Sequence, residues 1–245
     1  MKMRNRHAIL GVKIDNLNKS DILKRISFFL DEKKFHQIAT VNPEFLLEAQ
    51  KNLCFRVILN NCALNIADGF GIGCAFLRYG RLLRARIAGA DLMMEILRMA
   101  SERELGVFLA INKDGLSKFE EIRSAILKIY PKLVIKGANF EKKVVCCMLY
   151  STCPVLLCNF GAPYQEVFLD SQKDARIQLA MGVGGSFDFL TGKIKRAPVW
   201  MRQIGLEWLW RIFQAQQWKY KKNRLKRIWK AVIVFPIKII LCNEE

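Results

Sequence analysis

Apolar runs in this chain repeatedly end in an acid, an asparagine or a glycine, and helix-patterned segments lie between them. FHQIATVN (35–42), ALNIAD (63–68), GVFLAIN (106–112), KLVIKG (132–137), PVLLCNFG (154–161) and IQLAMGVGG (177–185) read as strands. PEFLLEAQKNLCFRVIL (43–59), DGLSKFEEIRSAILKIY (114–130) and PYQEVFLD (163–170) place their apolar residues at helical spacing. Near-continuous apolar strands that alternate with helices imply an α/β chain, with a mostly parallel sheet covered by helices on both faces. In such sheets ligands bind beyond the carboxyl ends of the strands, so the residues that follow each strand are the candidates for chemistry.

The first strand runs into Thr40-Val41-Asn42-Pro43. Asn42 suits an N-cap and Pro43 the first helical turn, while Thr40 and Asn42, two apart, project to one side of the strand end. The second strand runs into Asp68-Gly69-Phe70-Gly71-Ile72-Gly73, where Asp68 reads either as a turn residue or as a carboxylate facing the crevice. The glycines form G-x-G-x-G rather than G-x-G-x-x-G, so a dinucleotide site is poorly supported. Arg86 precedes a helix start, where side chain and helix terminus both favour an anion. Gln165 and Glu166 leave another strand through Gly161 and Pro163. The stretch GVGGSFDFLTGKIKRAPVWMRQIGLEWLWR (182–211) combines Gly182, Gly184, Asp188, Arg196, Glu207 and Arg211. Its glycines allow a backbone to approach a ligand, its basic residues suit an anion, and its Trp-rich end suits a platform.

The net charge of +18 predicts anionic partners without choosing among them. The eight cysteines sit in apolar contexts without a C-x-x-C pair, which reads as buried free thiols in a reducing cytoplasm. The basic start MKMRNRHAIL breaks its apolar run at Lys13 and Asp15 and does not read as a signal peptide. His7 and His36 are too few for a histidine-based metal site, and no D-x-D occurs. The expectation is a site without metal or other cofactor, in which Arg86, Arg196, Arg211 and helix N-termini neutralise an anionic ligand.

KYKKNRLKRIWK (219–230) holds seven basic residues and no acid. Trp218, Leu225, Trp229 and Val232 form one apolar stripe, flanked by Lys221, Lys222, Arg224, Lys226 and Arg227. A basic amphipathic helix of this kind reads as a membrane-surface element, and the IVFPIKIIL after it is too short to span. The chain divides into a catalytic unit, 1–205, and a membrane-binding appendage, 206–245. The alternative is a basic nucleic-acid-binding protein. It accounts for the charge and the tail but leaves the strand-end motifs unexplained, so no nucleic-acid partner is expected.

TVNPE, ADGFGI, RIAGADL, GAPYQE and the 182–211 stretch, in this order, resemble the WecG/TagA/CpsF family of bacterial glycosyltransferases (glycosyltransferase family 26). The resemblance implies a Rossmann-like fold and an inverting, UDP-sugar-dependent hexosyltransferase. Its donor sugar would be N-acetylmannosamine or its uronic acid. Its acceptor would be N-acetylglucosamine on a polyprenyl diphosphate, in cell-surface polysaccharide synthesis. It further implies a peripheral position on the cytoplasmic face of the plasma membrane. By position, Asp68 corresponds to the general base, Thr40 and Asn42 to polar pocket residues, and Arg86 to an active-site arginine. Gln165 and the Gly182–Asp188 turn correspond to donor-side loops. Where relatives continue with Glu-Pro-x-Arg, this chain has Ala215-Gln216-Gln217-Trp218, which leaves open which tail arginine completes the site. Whether copies of the chain form a homo-oligomer is also left open.

Overall fold

In a computed structural model, residues 5–141, 152–173, 176–207, 209–210 and 228–242 are described. The chain opens with a hairpin, β1 (Arg6–Ile9) and β2 (Val12–Asp15), which sequence periodicity did not single out because each strand has only four residues. Its two-residue turn places Leu10 and Gly11 at positive φ, the geometry that matches the twist of paired strands. Then follow α1 (Lys19–Asp31), β3 (His36–Val41), α2 (Pro43–Ala49), α3 (Leu53–Asn61), β4 (Leu64–Ala67), α4 (Phe70–Arg78) and α5 (Gly89–Glu102). The second half contains β5 (Val107–Asn112), α6 (Phe119–Ile129), β6 (Ile135–Phe140), β7 (Val155–Cys158), α7 (Tyr164–Asp170), β8 (Leu179–Gly182), α8 (Ser186–Leu190) and α9 (Val199–Ile204). A π-helical turn, Lys230–Val234, leads into α10 (Phe235–Leu241).

Strands β3 to β8 form one six-stranded sheet in the order β4-β3-β8-β7-β5-β6, and every pairing is parallel. The expected α/β architecture is therefore present. Alternate strand residues face opposite sides. One face presents large residues, including Ile38, Ile66, Leu109, Leu157 and Met181, to α1, α5, α6 and α8. The other presents Ala39, Ala67, Ala110 and Ala180. There the volume comes from the covering layer instead: Phe45, Phe55 and Phe76 over one half, Phe160 and Phe168 over the other. Each such side chain, fully buried, contributes about 1.5–3 kcal/mol.

Two boundaries differ from the sequence expectation. The single helix over 43–59 is broken, because Asn52 caps α3 by accepting from the Phe55 N–H at 3.0 Å. The strand expected at 132–137 lies at Ile135–Phe140, running past its apolar residues into exposed ones. It is an edge strand, so half of its surface meets water and apolar periodicity marks it poorly.

The opposite edge, β4, is covered by the hairpin. Asp15, 2 % exposed, accepts from Arg6 Nε at 3.0 Å and from the Asn65 backbone N–H at 2.8 Å. Arg6 in turn donates to the Cys62 and Ala63 carbonyls, and the buried Asn65 carboxamide donates to Lys13 and Leu59 carbonyls. Backbone groups that a bare edge would leave open thus end on side chains. Replacing Asp15 by Ala leaves Arg6 Nε and the Asn65 N–H without their acceptor and the part-buried guanidinium without its counter-charge, and should lower unfolding free energy by about 3–5 kcal/mol. Urea denaturation checks this; a loss below about 1 kcal/mol would mean the hairpin covers the edge by packing alone.

Candidate active site

A cavity of about 1060 Å³ opens at the carboxyl ends of β3, β4, β5, β7 and β8. Its volume is at the upper end of small-ligand sites, enough for a donor and part of an acceptor together.

Thr40, Asn42 and Asp68 meet on its wall. The Asp68 backbone N–H donates to the Val41 carbonyl at 2.8 Å, which draws the end of β4 against the end of β3. Gly69 follows at φ +86, a conformation that turns the chain sharply into α4. The Asn42 carboxamide caps α2 through the Phe45 N–H at 3.1 Å, so its cap role is real and it still lines the cavity. Thr40 Oγ1 would lie 3.1 Å from a Cβ placed on Gly89, so it rests on the first turn of α5. That turn has no side-chain cap, and Gly89 and Ala90 line the cavity, which leaves amide donors for an anion.

Arg86 lines the cavity too, but its Nη2 donates to the Arg202 carbonyl and to the Gln203 carbonyl at 2.8 Å. It therefore pins the end of α9, where Gly205 (φ +83) leaves room for the guanidinium. Arg196 requires a correction. It pairs with Asp91 at 2.7 Å, approaches Glu207 at 3.9 Å and lies over the Phe189 ring at 5.5 Å. It does not line the cavity; it ties the 194–198 segment to α5. Glu207 does line it.

On the other side Gln165, Gly182, Gly184 and Asp188 come together as expected. Gln165 Oε1 accepts from the Gly161 N–H at 3.0 Å and the Gly184 N–H at 3.2 Å, both glycines at positive φ. Asp188 accepts from the buried Ser117 hydroxyl at 2.8 Å, which holds the loop after β5 in place. Glu166 is the second correction. It is 1 % exposed, lies behind Gln165 and does not line the cavity. Burial pushes its carboxyl up to about 8.

Sequence reasoning passed over Asn112, Asp114 and Asn159, which also line the cavity. The Asn159 side chain accepts from the Asn112 N–H at 2.6 Å, joining the ends of β5 and β7. The rule that picked Asp68, a polar residue directly after a strand, would have found them. It also passed over α10 as a wall. Phe235 and Ile239 are buried against α2 and α4, and a Cβ on Gly71 would come within 3.5 Å of the Phe235 ring. Val232, Pro236 and Ile240 line the cavity, and Phe70, Leu77, Trp229, Ile237 and Leu241 are exposed around this region. No helix among the described residues is long and apolar enough to cross a membrane. Arg211, Trp218, Lys221, Lys222, Arg224, Lys226 and Arg227 lie outside the described residues.

Comparison with known proteins extends over the same ground. A family model, that of the glycosyl transferase WecG/TagA/CpsF family, matches residues 7–240. A protein of Bacillus subtilis named N-acetylglucosaminyldiphosphoundecaprenol N-acetyl-beta-D-mannosaminyltransferase is 30 % identical over 79 % of this chain and 77 % of its own length. A Staphylococcus aureus protein of the same name is 29 % identical over 97 % of this chain and 93 % of its own. With the family match covering hairpin, sheet, cavity and C-terminal helix alike, the chain belongs to the WecG/TagA/CpsF family of glycosyl transferases.

Proposed function

We propose that the chain moves N-acetylmannosamine, or its uronic acid, from a UDP donor to N-acetylglucosamine carried on a polyprenyl diphosphate. The observation that carries this reading is the cavity's mixed lining. Polar strand ends with Asp68 and open α5 amides line it together with apolar residues of α4 and α10. The relatives' names supply the acceptor and the sugar. Family membership leaves the nucleic-acid alternative without support.

In this reading the Asp68 carboxylate takes the proton of an acceptor hydroxyl, and that oxygen attacks the anomeric carbon from the face opposite the diphosphate. The carbon–oxygen bond to UDP breaks as the new one forms, so configuration inverts through an oxocarbenium-like state. Amides of Gly89 and Ala90, with Arg86 beside them, receive the charge that gathers on the diphosphate. Metal independence is part of the proposal. It is supported by the missing D-x-D and by the lack, among the described residues, of three grouped His, Cys, Asp or Glu.

The proposal also places the protein peripherally on the cytoplasmic face of the membrane, with residues 1–205 as catalytic unit and 206–245 as appendage. The exposed Trp229, Ile237 and Leu241 support it, since they put apolar surface on the same helical segment whose Val232, Pro236 and Ile240 line the cavity.

Asp68→Asn should keep the fold and UDP affinity while turnover drops by about 10²- to 10⁴-fold. Steady-state kinetics with circular dichroism checks it, and near wild-type turnover would remove Asp68 from the mechanism. Excess EDTA should leave transfer largely intact; inactivation that added magnesium reverses would contradict the metal-free assignment. Replacing Trp229, Ile237 and Leu241 together by Ser should weaken binding to anionic vesicles by about tenfold or more, with the circular dichroism spectrum unchanged. Undiminished flotation of the triple variant would place the membrane contact elsewhere.

A further inference from the structure

Gln165 carries two loops on one oxygen. Its Oε1 accepts from Gly161, just past β7, and from Gly184, just past β8, and both glycines hold positive φ. A carboxamide accepts on one side and donates on the other, so a half-turn would set its NH2 against both glycine N–H groups and lose both bonds. Glu166 adds a third bond that the half-turn would lose. Its Oε1 accepts from Gln165 Nε2 at 2.7 Å, which leaves Gln165 Oε1 facing the glycines.

The surroundings are shaped for this pair. A Cβ on Gly182 would lie 2.6 Å from Gln165 Cδ and 2.8 Å from Glu166 Oε1, so any larger residue at the end of β8 would displace this pair. Gln37 on β3 donates to the Glu166 carbonyl at 3.1 Å and fixes the backbone there. Glu166 Oε2, by contrast, is buried without a hydrogen-bond partner. A carboxyl half satisfied in the interior lowers stability, so packing does not account for an acid at this position.

We propose that Glu166 is a positioning residue: by orienting Gln165 it holds Gly161 and Gly184, and with them the donor-side ends of β7 and β8, in the form that receives the sugar donor. This rests on the UDP-sugar reading above for what is bound, though not for how the loops are held.

The full-length protein with Glu166→Met, similar in length but no acceptor, is compared with Glu166→Gln, which keeps an acceptor oxygen. Amide hydrogen exchange at Gly161 and Gly184, read by NMR, should quicken by about tenfold or more in the Met variant and stay within a few-fold in the Gln variant. Exchange at Leu157 and Met181 in the strands should not change in either. UDP affinity by calorimetry should fall by about three- to tenfold with Met and recover with Gln, while KM for the acceptor stays constant. Unchanged exchange at the two glycines in the Met variant overturns the proposal. So does an equal loss in both variants with the strand amides quickening in step, the mark of a packing role. If the Met variant does not fold, the Gln variant decides. Retained glycine protection supports the proposal, and faster exchange confined to the glycines sinks it. Absence of UDP binding by the wild type would instead overturn the donor assignment, and glycine exchange would still judge Glu166.

Discussion

A six-stranded parallel sheet holds together in water only when both faces are covered and both edges are dealt with. Most of this chain serves that constraint. Large residues on one face meet α1, α5, α6 and α8 directly. Alanines on the other admit phenylalanines from the loops and helices laid over them. One edge strand, β6, meets water with exposed residues; the other, β4, is closed by the Asp15–Arg6 hairpin. With faces and edges closed, the carboxyl ends of the strands remain as the place where backbone groups and polar side chains converge on open space. The cavity lies there because nothing in the sheet requires that end to be covered.

Covering comes instead from the far end of the chain. Phe235 and Ile239 anchor α10 in the same core as Phe45 and Phe76, and this turns an apolar helix into a wall of the cavity. The site thus joins a polar floor to an apolar side. Charge that develops on a leaving group over such a floor is screened less than in water, so fixed amide dipoles at α5 act strongly. The same apolar side suits a substrate whose sugar end is polar and whose carrier is a hydrocarbon.

The excess of basic residues has a divided use. Arg6, Arg86, Arg196 and Arg202 are committed within the fold, bridging carbonyls and acids far apart in sequence. Asp91 alone faces both Arg196 and Arg202, so part of the positive charge holds α9 and the 194–198 segment to α5. Formal charge counts both kinds of arginine alike. A guanidinium bonded to carbonyls keeps its charge, so Arg86 still adds to the field felt by an anion, while Arg196 and Arg202 share theirs with Asp91.

Strand order along the chain, the parallel sheet and the end of the sheet where the cavity opens were legible in the sequence. Buried strands read as apolar runs, and Thr40, Asn42, Asp68, Gln165 and Gly184 stand where those runs stop. Glycines announced tight backbone passages, although which neighbour required Gly71 or Gly182 was not visible. Only the tertiary structure decided the rest. It buried Glu166 behind Gln165 and gave Arg196 to Asp91. It set the hairpin against β4 and folded α10 back over α4. The physical reason is range. Periodicity and turn chemistry act within a few residues of chain, whereas an acid's partner or a helix's seat is chosen by elements a hundred residues away that must first be brought together.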